Sequence, residues 1–255
     1  MLEKLDLLDW QPPEPLTYER RAKEAFGAGR LDAEHFQPKY DALFSLLAEK
    51  GDIRLGDHIF EPIRRGISPE YVEDGGDILV INSKHVGKVQ VELEDNRRTT
   101  RTLLENQAEG RGEVGVGDVL LNSTGYITIG RCQCLLESVA AVVDNHVAII
   151  RPEEGIDPVY LACFLNTLPG QMQTKRGWTG SSGQIELRPD IIADYRIWNA
   201  SSTIQKKIRS FVEQSHATRR EAKQLLERAK RAVEIAIEES EAAGMAFLKD
   251  MENSY

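Results

Sequence analysis

The sequence lacks several features that would assign it to a broad class at once. It has no run of about eighteen apolar residues, so no membrane-spanning helix is expected. Its first residues, MLEKLDLLDWQPPEP, lack the apolar core of a secretory signal, and we therefore expect a cytoplasmic protein with no membrane contact. Its three cysteines do not form a disulfide framework.

Two of the cysteines, Cys132 and Cys134, would face the same side of a strand. A metal site would need further ligands at metal-binding spacing, and the sequence offers none. We therefore predict buried small side chains at these positions, with no metal and no cofactor.

The sequence also lacks an excess of positive charge, because 32 Lys and Arg face 41 Asp and Glu, for a net charge of −9. Indiscriminate binding to nucleic acid is driven by Lys and Arg that displace counterions from phosphates, so the composition argues against it. A DNA reader whose basic residues cluster on one face remains compatible with this charge.

Catalytic motifs are missing as well. VGVGDV lacks the strand-to-helix context of a dinucleotide site, and neither a phosphate-binding G-x-x-x-x-G-K-[ST] loop, an H-E-x-x-H pair nor a G-x-S-x-G turn occurs. Asp144, Asn145 and His146 end a predicted strand, where a structural role is the more common one. We expect no active site in this chain.

The pattern along the chain predicts an α+β fold. Residues 1–30 are rich in proline and polar side chains and are predicted to form an N-terminal arm. Residues 31–200 combine a helix ending before Gly51, a strand-rich stretch over 52–150, and a single helix in DPVYLACFLNTLPGQMQTKR that Asp157 caps and Pro158 opens. Residues 244–255 are predicted to be a frayed tail.

One long amphipathic helix is predicted from about Ser202 to Ser240, within a segment 201–243. No Gly or Pro interrupts it, and at 1.5 Å per residue it would be roughly 55–60 Å long. Such a helix must bury its apolar stripe against another surface. The stripe consists of Ile204, Ile208, Phe211, Val212, Leu225, Leu226, Ala229, Val233 and Ile237.

Four polar segments beside glycines carry side chains suited to base edges and phosphates: INSKHVGK, DNRRTTR, LNSTGY and KRGWTGSSGQ. From composition alone, loops that simply face water remain the alternative. The residues concerned are Asn82, Ser83, Lys84 and Lys88; Arg97, Arg98, Thr100 and Arg101; Asn122, Ser123 and Thr124; and Lys175, Arg176, Trp178, Ser181, Ser182 and Gln184.

Several motifs, in this order, resemble the specificity subunits of type I restriction–modification systems: RLDAEHFQPKYDALFSLL, RRGISPEYVEDGGDILVINSKHVG, GDVLLNSTGYITIGR, DNHVAIIRP, YLACFLNTLPGQ and GSSGQIEL before a long charged helix. The resemblance spans about residues 28 to 240. It implies a non-enzymatic reader of double-stranded DNA on which adenine-methyltransferase subunits dock, together with a translocating nuclease subunit in the complexes that cleave.

The family usually carries two target recognition domains, each followed by a long helix, and the two helices pair as an antiparallel coiled coil. This sequence contains one such domain and one such helix, so the resemblance implies a half-size subunit. A homodimer through the helix would read a palindromic bipartite site; a different chain as the second half is the alternative.

The resemblance further implies that the four polar segments form the DNA-facing surface, with Arg97, Arg98, Arg101 and Lys175 on phosphate or guanine and Trp178 as a loop anchor. LNSTG and GSSGQ, which are shared across the family, would position the DNA backbone rather than choose bases. A coiled-coil interaction adaptor that does not bind DNA is the competing interpretation.

Overall fold

The computed structural model describes residues 1–108, 112–180 and 184–252. They divide into two compact units, Met1–Ile208 and Arg209–Tyr255. In chain order the helices are α1 (Ala22–Ala28), α2 (Pro38–Glu49), α3 (Arg101–Ala108), α4 (Pro158–Asn166), α5 (Leu168–Gly177), α6 (Pro189–Ala193), α7 (Ser202–Glu238) and α8 (Glu241–Glu252).

The strands of the first unit are β1 (Asp52–Arg54), β2 (Arg64–Arg65), β3 (Ile78–Ile81), β4 (Arg98–Thr99), β5 (Glu113–Val114), β6 (Val119–Asn122), β7 (Cys132–Cys134), β8 (Ala141–Val143), β9 (Val147–Ile150) and β10 (Arg196–Trp198). One four-stranded sheet has the order β2-β9-β6-β7 and a second has the order β4-β3-β8-β5. β3 and β8 are parallel, whereas the other neighbours in these sheets are antiparallel; β1 and β10 form a separate antiparallel pair. The α+β class is therefore confirmed.

The core lies between the two four-stranded sheets. Alternate residues of β3 point to opposite faces, so Leu79 and Ile81 join the central apolar cluster, which also receives Leu120 from β6 and Ile149 from β9. Ile78 and Val80, on the other face of β3, pack with Leu104 of α3. Because both faces are covered, these strands read as continuous apolar runs rather than as alternating ones.

The helix predicted over DPVYLACFLNTLPGQMQTKR begins as expected but is two helices, which corrects the prediction of one. The Asp157 carboxylate accepts the N–H groups of Val159 and Tyr160 at 2.9 and 3.0 Å, as an N-cap does. The chain leaves helical geometry at Thr167, because Pro169 has no N–H with which to continue the bonding ladder. The Gln171 side-chain amide donates to the Leu165 carbonyl instead, at 2.8 Å.

Both terminal segments contain a helix. The N-terminal segment contains the short helix α1, and Leu5 and Leu7 of the same segment are buried. The frayed tail expected over 244–255 is wrong up to residue 252, because Glu241–Glu252 form α8; residues 253–255 lie outside the described residues. Gly244 of α8 approaches Ala232 and Ala236 of α7 so closely that a Cβ at Gly244 would lie 2.6 Å from the Ala232 carbonyl oxygen. Small residues on both helices permit this contact.

The long helix is confirmed as α7, which is continuous over 37 residues and therefore about 55 Å long. At 100° per residue, the nine predicted stripe residues fall within an arc of about 140°. Phe211, Leu225, Leu226, Val233 and Ile237 are exposed, whereas Ile204, Ile208 and Val212 are half-buried. Within the first unit, the start of α7 is fixed by Gln205, whose side chain accepts the Asp157 N–H at 2.7 Å and donates to the Gly155 carbonyl at 3.0 Å.

Candidate nucleic-acid interface

Polar loops that are far apart in sequence meet where β3, β6 and β8 end. The parallel strands β3 and β8 end side by side at Ile81 and Val143, and β6 ends at Asn122, opposite the first residue of β9. The loops that follow these strands therefore gather at one place. We call residues 82–88, 122–130 and 144–146, together with residues 184–187 that hydrogen-bond to Ser123 and Gly125, the loop cluster.

Asn122 joins the first two loops of the cluster. Its side-chain amide is fully buried and donates to the carbonyl oxygens of Ser83 at 2.8 Å and Val86 at 3.3 Å. A buried amide that bonds two carbonyls of another loop fixes that loop relative to its own strand. INSKHVGK and LNSTGY, predicted separately as DNA-facing segments, are therefore parts of one surface.

Ser123 and Thr124 join the third and fourth loops. The Ser123 hydroxyl donates to the His146 carbonyl at 3.0 Å, and the Thr124 hydroxyl lies 2.6 Å from His146 Nδ1. The Ser123 carbonyl accepts the Leu187 N–H at 2.8 Å. The turn at Asp144–His146 is thus hydrogen-bonded to the neighbouring loop 122–130.

The Asp144 carboxylate supports this turn by accepting the His146 N–H at 3.0 Å. Burial raises the pKa of Asp144, since the low-dielectric surroundings penalise its charged form. Burial also lowers the pKa of His85, whose Nδ1 accepts the Asn82 N–H at 3.1 Å. The Asn82 side-chain oxygen accepts the Lys84 N–H, so Asn82 shapes the turn that presents Lys84 to solvent.

The predicted DNA-binding residues separate by exposure. The exposed ones are Lys84, Lys88, Arg97, Arg98, Arg101, Lys175 and Gln184. Asn82, Ser83, Thr100, Thr124, Arg176 and Trp178 are half-buried, and Asn122 and Ser123 are fully buried. Ser181 and Ser182 lie outside the described residues. A fully buried side chain does not reach a DNA groove, which leaves Asn122 and Ser123 as supports of the loop cluster.

The arginine-rich segment DNRRTTR lies beside β3 and its cations have protein partners. The Arg97 guanidinium lies over the Tyr71 ring, 4.8 Å from its centroid, and Arg98 donates to the Gly76 carbonyl at 3.3 Å. Arg101 forms an ion pair with Glu113. Arg97 is the member next to the loop cluster, because its carbonyl accepts the N–H of Val80 near the end of β3. Thr100 caps α3 through a 3.3 Å bond to the Leu103 N–H.

The segment KRGWTGSSGQ turns its two cations in different directions. Lys175 is exposed and lies 3.4 Å from Glu34, whereas the Arg176 guanidinium packs over the Phe44 ring at 5.0 Å and donates to the His35 carbonyl at 3.4 Å. Burial lowers the pKa of Arg176. Thr179 and Glu186 exchange two backbone hydrogen bonds of 2.8 Å, which fixes the base of this loop next to Thr124.

Arg30 holds the start of this loop, a role that the sequence analysis missed. Its guanidinium donates to the carbonyl oxygens of Arg176, Gly177 and Trp178 at 3.3, 3.2 and 2.9 Å, at the end of α5. Asp32 accepts two further bonds from it, at 2.7 and 3.0 Å. The sequence signal is faint, since an R-x-D pair in a polar arm does not indicate which carbonyls the arginine reaches.

The remaining observations concern metal ligands, cysteines and membrane-spanning helices. Over residues 1–108, 112–180 and 184–252, no group of three or more His, Cys, Asp or Glu could hold a metal ion. Cys132 and Cys134 are buried in β7, and burial raises the pKa of Cys132 and, to about 11, that of Cys163. Within the described part of the chain, no helix is long and apolar enough to cross a membrane.

Comparison with known proteins gives similar structures only. No protein-family model matches the chain, and no curated protein does. The structure is similar to a chain from a solved structure of a type I R-M system, with 17% identity and a TM-score of 0.45. It is also similar to the S subunit of the type I restriction-modification system from M. genitalium, with 9% identity and a TM-score of 0.47, and to the type IIG restriction endonuclease BpuSI, with 10% identity and a TM-score of 0.48.

These matches cover 78%, 74% and 76% of this chain but 44%, 44% and 30% of the other chains. The chain therefore spans less than half the length of each.

Proposed function

We propose that the chain is a DNA specificity subunit of a type I restriction–modification complex. In this proposal it is a half-size subunit with one target recognition domain, and it acts as a homodimer on a palindromic bipartite site. It docks adenine-methyltransferase subunits and, in complexes that contain it, a translocating nuclease subunit. The main structural support is the loop cluster, which brings INSKHVGK and LNSTGY together at the ends of buried strands, with Gln184 of KRGWTGSSGQ in the neighbouring loop. Recognition residues are commonly placed on loops held by a rigid scaffold.

Exposure and position assign the contacts within the proposal. Lys84, Lys88 and Arg97 are exposed cations in or beside the loop cluster and are suited to phosphates or guanine. Gln184 and Thr124 offer hydrogen-bonding groups near them. Arg98, Arg101 and Lys175, which lie outside the residues of the loop cluster, remain proposed phosphate contacts, while Asn122 and Ser123 position the loops. The acidic net charge is compatible with this role if the docked subunits supply further phosphate contacts.

Removal of Lys84 and Lys88 tests the DNA contact. We expect Lys84→Gln/Lys88→Gln to weaken binding to duplex DNA and to reduce the slope of log K against log salt by about 2, since each phosphate contact contributes about 0.9. The matched control is Arg21→Gln/Lys23→Gln, which removes two exposed cations at α1. Binding is measured by gel shift with the methyltransferase subunit present.

An unchanged slope in the Lys84/Lys88 variant, or an equal loss in the α1 control, would contradict the assignment. Arg97→Ala/Arg98→Ala serves as a second probe of the same surface. Methylation mapping of the host genome identifies the site and reveals whether it is bipartite and palindromic.

The apolar stripe of α7 supports the proposed homodimer. Five large apolar side chains on this helix are 55–80% exposed, and an apolar face of this size is usually covered by a partner. An antiparallel pairing of two α7 helices would cover the stripe of each with the stripe of the other and hold two recognition domains apart.

Leu226→Asp tests the helix pairing. An aspartate within the stripe would bury a charge in the paired state, so we expect light scattering to show a monomer where the wild type is a dimer. Gln224→Asp introduces the same charge on the opposite side of α7 and should leave the dimer intact. A wild type that is monomeric at high concentration would overturn the homodimer.

A second candidate, an interaction adaptor without DNA binding, is favoured only by the exposed stripe itself. It requires that substitutions in the loop cluster leave function unchanged while Leu226→Asp abolishes it. The salt-slope experiment therefore separates the two functions.

A further inference from the structure

The hairpin loop between β6 and β7 is tightly built. Two backbone hydrogen bonds close it: the Gly130 N–H donates to the Asn122 carbonyl at 2.8 Å, and the Asn122 N–H donates to the Arg131 carbonyl at 2.9 Å. Inside it, the Gly125 carbonyl accepts the N–H groups of Thr128 and Ile129 at 3.1 and 2.9 Å. Gly125 has a φ of +90°, which favours glycine at this position. The tip of the loop is thus fixed in shape.

Two large side chains at this tip are exposed to solvent. Tyr126 is 70% exposed and Ile127 is 80% exposed, whereas Ile129 at the base of the same loop is only 7% exposed. An apolar pair held out into water by a rigid turn is unfavourable unless another surface covers it.

The position of the turn indicates the surface that would cover it. The loop belongs to the loop cluster: the Gly125 N–H donates to the Ile185 carbonyl at 3.2 Å, and the preceding Thr124 contacts His146. The tip therefore lies among the loops that the proposed function directs at DNA, near the exposed Lys84 turn that Asn122 ties to β6. Proteins that bend DNA insert such apolar side chains between base pairs, partly unstacking them.

We infer that Tyr126 and Ile127 form a wedge that enters a base step of the bound duplex and bends it. This inference rests on the proposed DNA-binding function and adds a contact of a different physical kind. Lys84 and Lys88 would contribute salt-dependent affinity through phosphates, whereas the wedge contributes through apolar contact, which releases no counterions. Sequence preference would then come partly from how easily the contacted step deforms.

The test uses the full chain with the methyltransferase subunit present, and a duplex of about 30 bp that contains the mapped site and carries a fluorescence energy-transfer pair at its two ends. Wild-type binding is expected to shorten the end-to-end distance, as a kink of roughly 20–90° does. Tyr126→Ala/Ile127→Ala is expected to weaken binding about tenfold with an unchanged salt slope, and to leave the duplex straight at saturation. Tyr126→Phe/Ile127→Leu keeps the apolar volume and should keep the bend.

The chain offers a matched control at the other end of the same strands. Phe60, whose N–H donates to the Arg151 carbonyl beyond β9, is 80% exposed, and Val116, which precedes β6, is 60% exposed. Phe60→Ala/Val116→Ala removes a similar aromatic and β-branched pair and should change neither affinity nor bend.

The outcomes separate the wedge from the function on which it rests. A wild type that does not bind DNA overturns both the wedge and the proposed DNA-binding function. A wild type that binds without bending, or an alanine variant that binds and bends like wild type, overturns the wedge alone. If the alanine variant binds DNA normally but loses the methyltransferase subunit on size exclusion, the pair docks on protein and the wedge is also overturned.

Discussion

Replacement of Arg30 by alanine tests how the predicted recognition loop is held at the end of α5. Arg30 donates to three consecutive carbonyls, those of Arg176, Gly177 and Trp178, and its side chain is only 17% exposed. A hydrogen bond from a charged donor contributes about 1.5–3 kcal/mol, and a cation at a helix C-terminus contributes up to about 1 kcal/mol. These contributions are not additive, because the carbonyls rehydrate partly and His35 keeps its 2.9 Å bond to the Arg176 carbonyl.

We therefore expect Arg30→Ala to lower the free energy of unfolding by about 2 kcal/mol. For a domain of this size, that corresponds to a fall in Tm of ~4–8 °C. Arg30→Lys should recover little, since an ammonium group cannot bond three carbonyls and the Asp32 carboxylate at once. Urea unfolding and thermal melts measure both quantities.

Arg188 provides a matched control for Arg30. It also pairs with an aspartate two residues later, through two bonds to Asp190, but its side chain is 63% exposed. Arg188→Ala should cost less than about 0.5 kcal/mol, as exposed ion pairs do. If Arg30→Ala cost no more than Arg188→Ala, or if Arg30→Lys were as stable as wild type, the carbonyl bonds would not hold the loop as argued.

Two further predictions concern the support of the loop cluster. Because burial raises the folded-state pKa of Asp144, the stability that its neutral form contributes is present below the unfolded pKa of about 4 and is lost as pH rises through the folded pKa. Asp144→Asn should therefore be more stable than wild type near pH 7 in urea unfolding, and this advantage should shrink towards pH 4. A difference in stability that does not change with pH would contradict this. A Cβ at Gly66 would lie 2.0 Å from the Val143 carbonyl oxygen, so Gly66→Ala should cost about 3 kcal/mol or more in the same assay, whereas Gly115→Ala, with nothing within 4 Å, should change stability by less than about 0.5 kcal/mol.

Local signals in the sequence predicted much of the fold. The apolar runs in β3, β6 and β9, the Asp157–Pro158 helix start and the unbroken pattern of α7 each depend on residues close in sequence. The break at Thr167 and the helix α8 were missed for different reasons. Pro169 was tolerated within an otherwise periodic stretch, and α8 depends on small residues of α7 that allow Gly244 to approach. Periodicity within one segment does not report such contacts.

The candidate site was less accessible to sequence reasoning, because it depends on which way each side chain turns. Arg176 and Lys175 are adjacent and both cationic, yet only Lys175 is exposed, since Arg176 packs over the Phe44 ring and donates to the His35 carbonyl. Arg101 was expected to contact DNA, but it forms an ion pair with Glu113, which lies twelve positions away in the sequence and so was not visible from the arginine-rich segment. Composition identifies a polar loop but does not say which of its cations already has a partner.

The buried residues of LNSTG support the loop cluster instead of forming its exposed surface. The Asn122 amide donates to the carbonyls of Ser83 and Val86, and the Ser123 hydroxyl donates to that of His146. The geometry of three loops therefore depends on these two side chains. Substitution at either position would disturb every loop that it ties, whereas the exposed side chains of Lys84, Lys88 and Gln184 can change without moving the scaffold. In the proposed function, LNSTG therefore supports the loop cluster, and base choice would lie with the exposed residues around it.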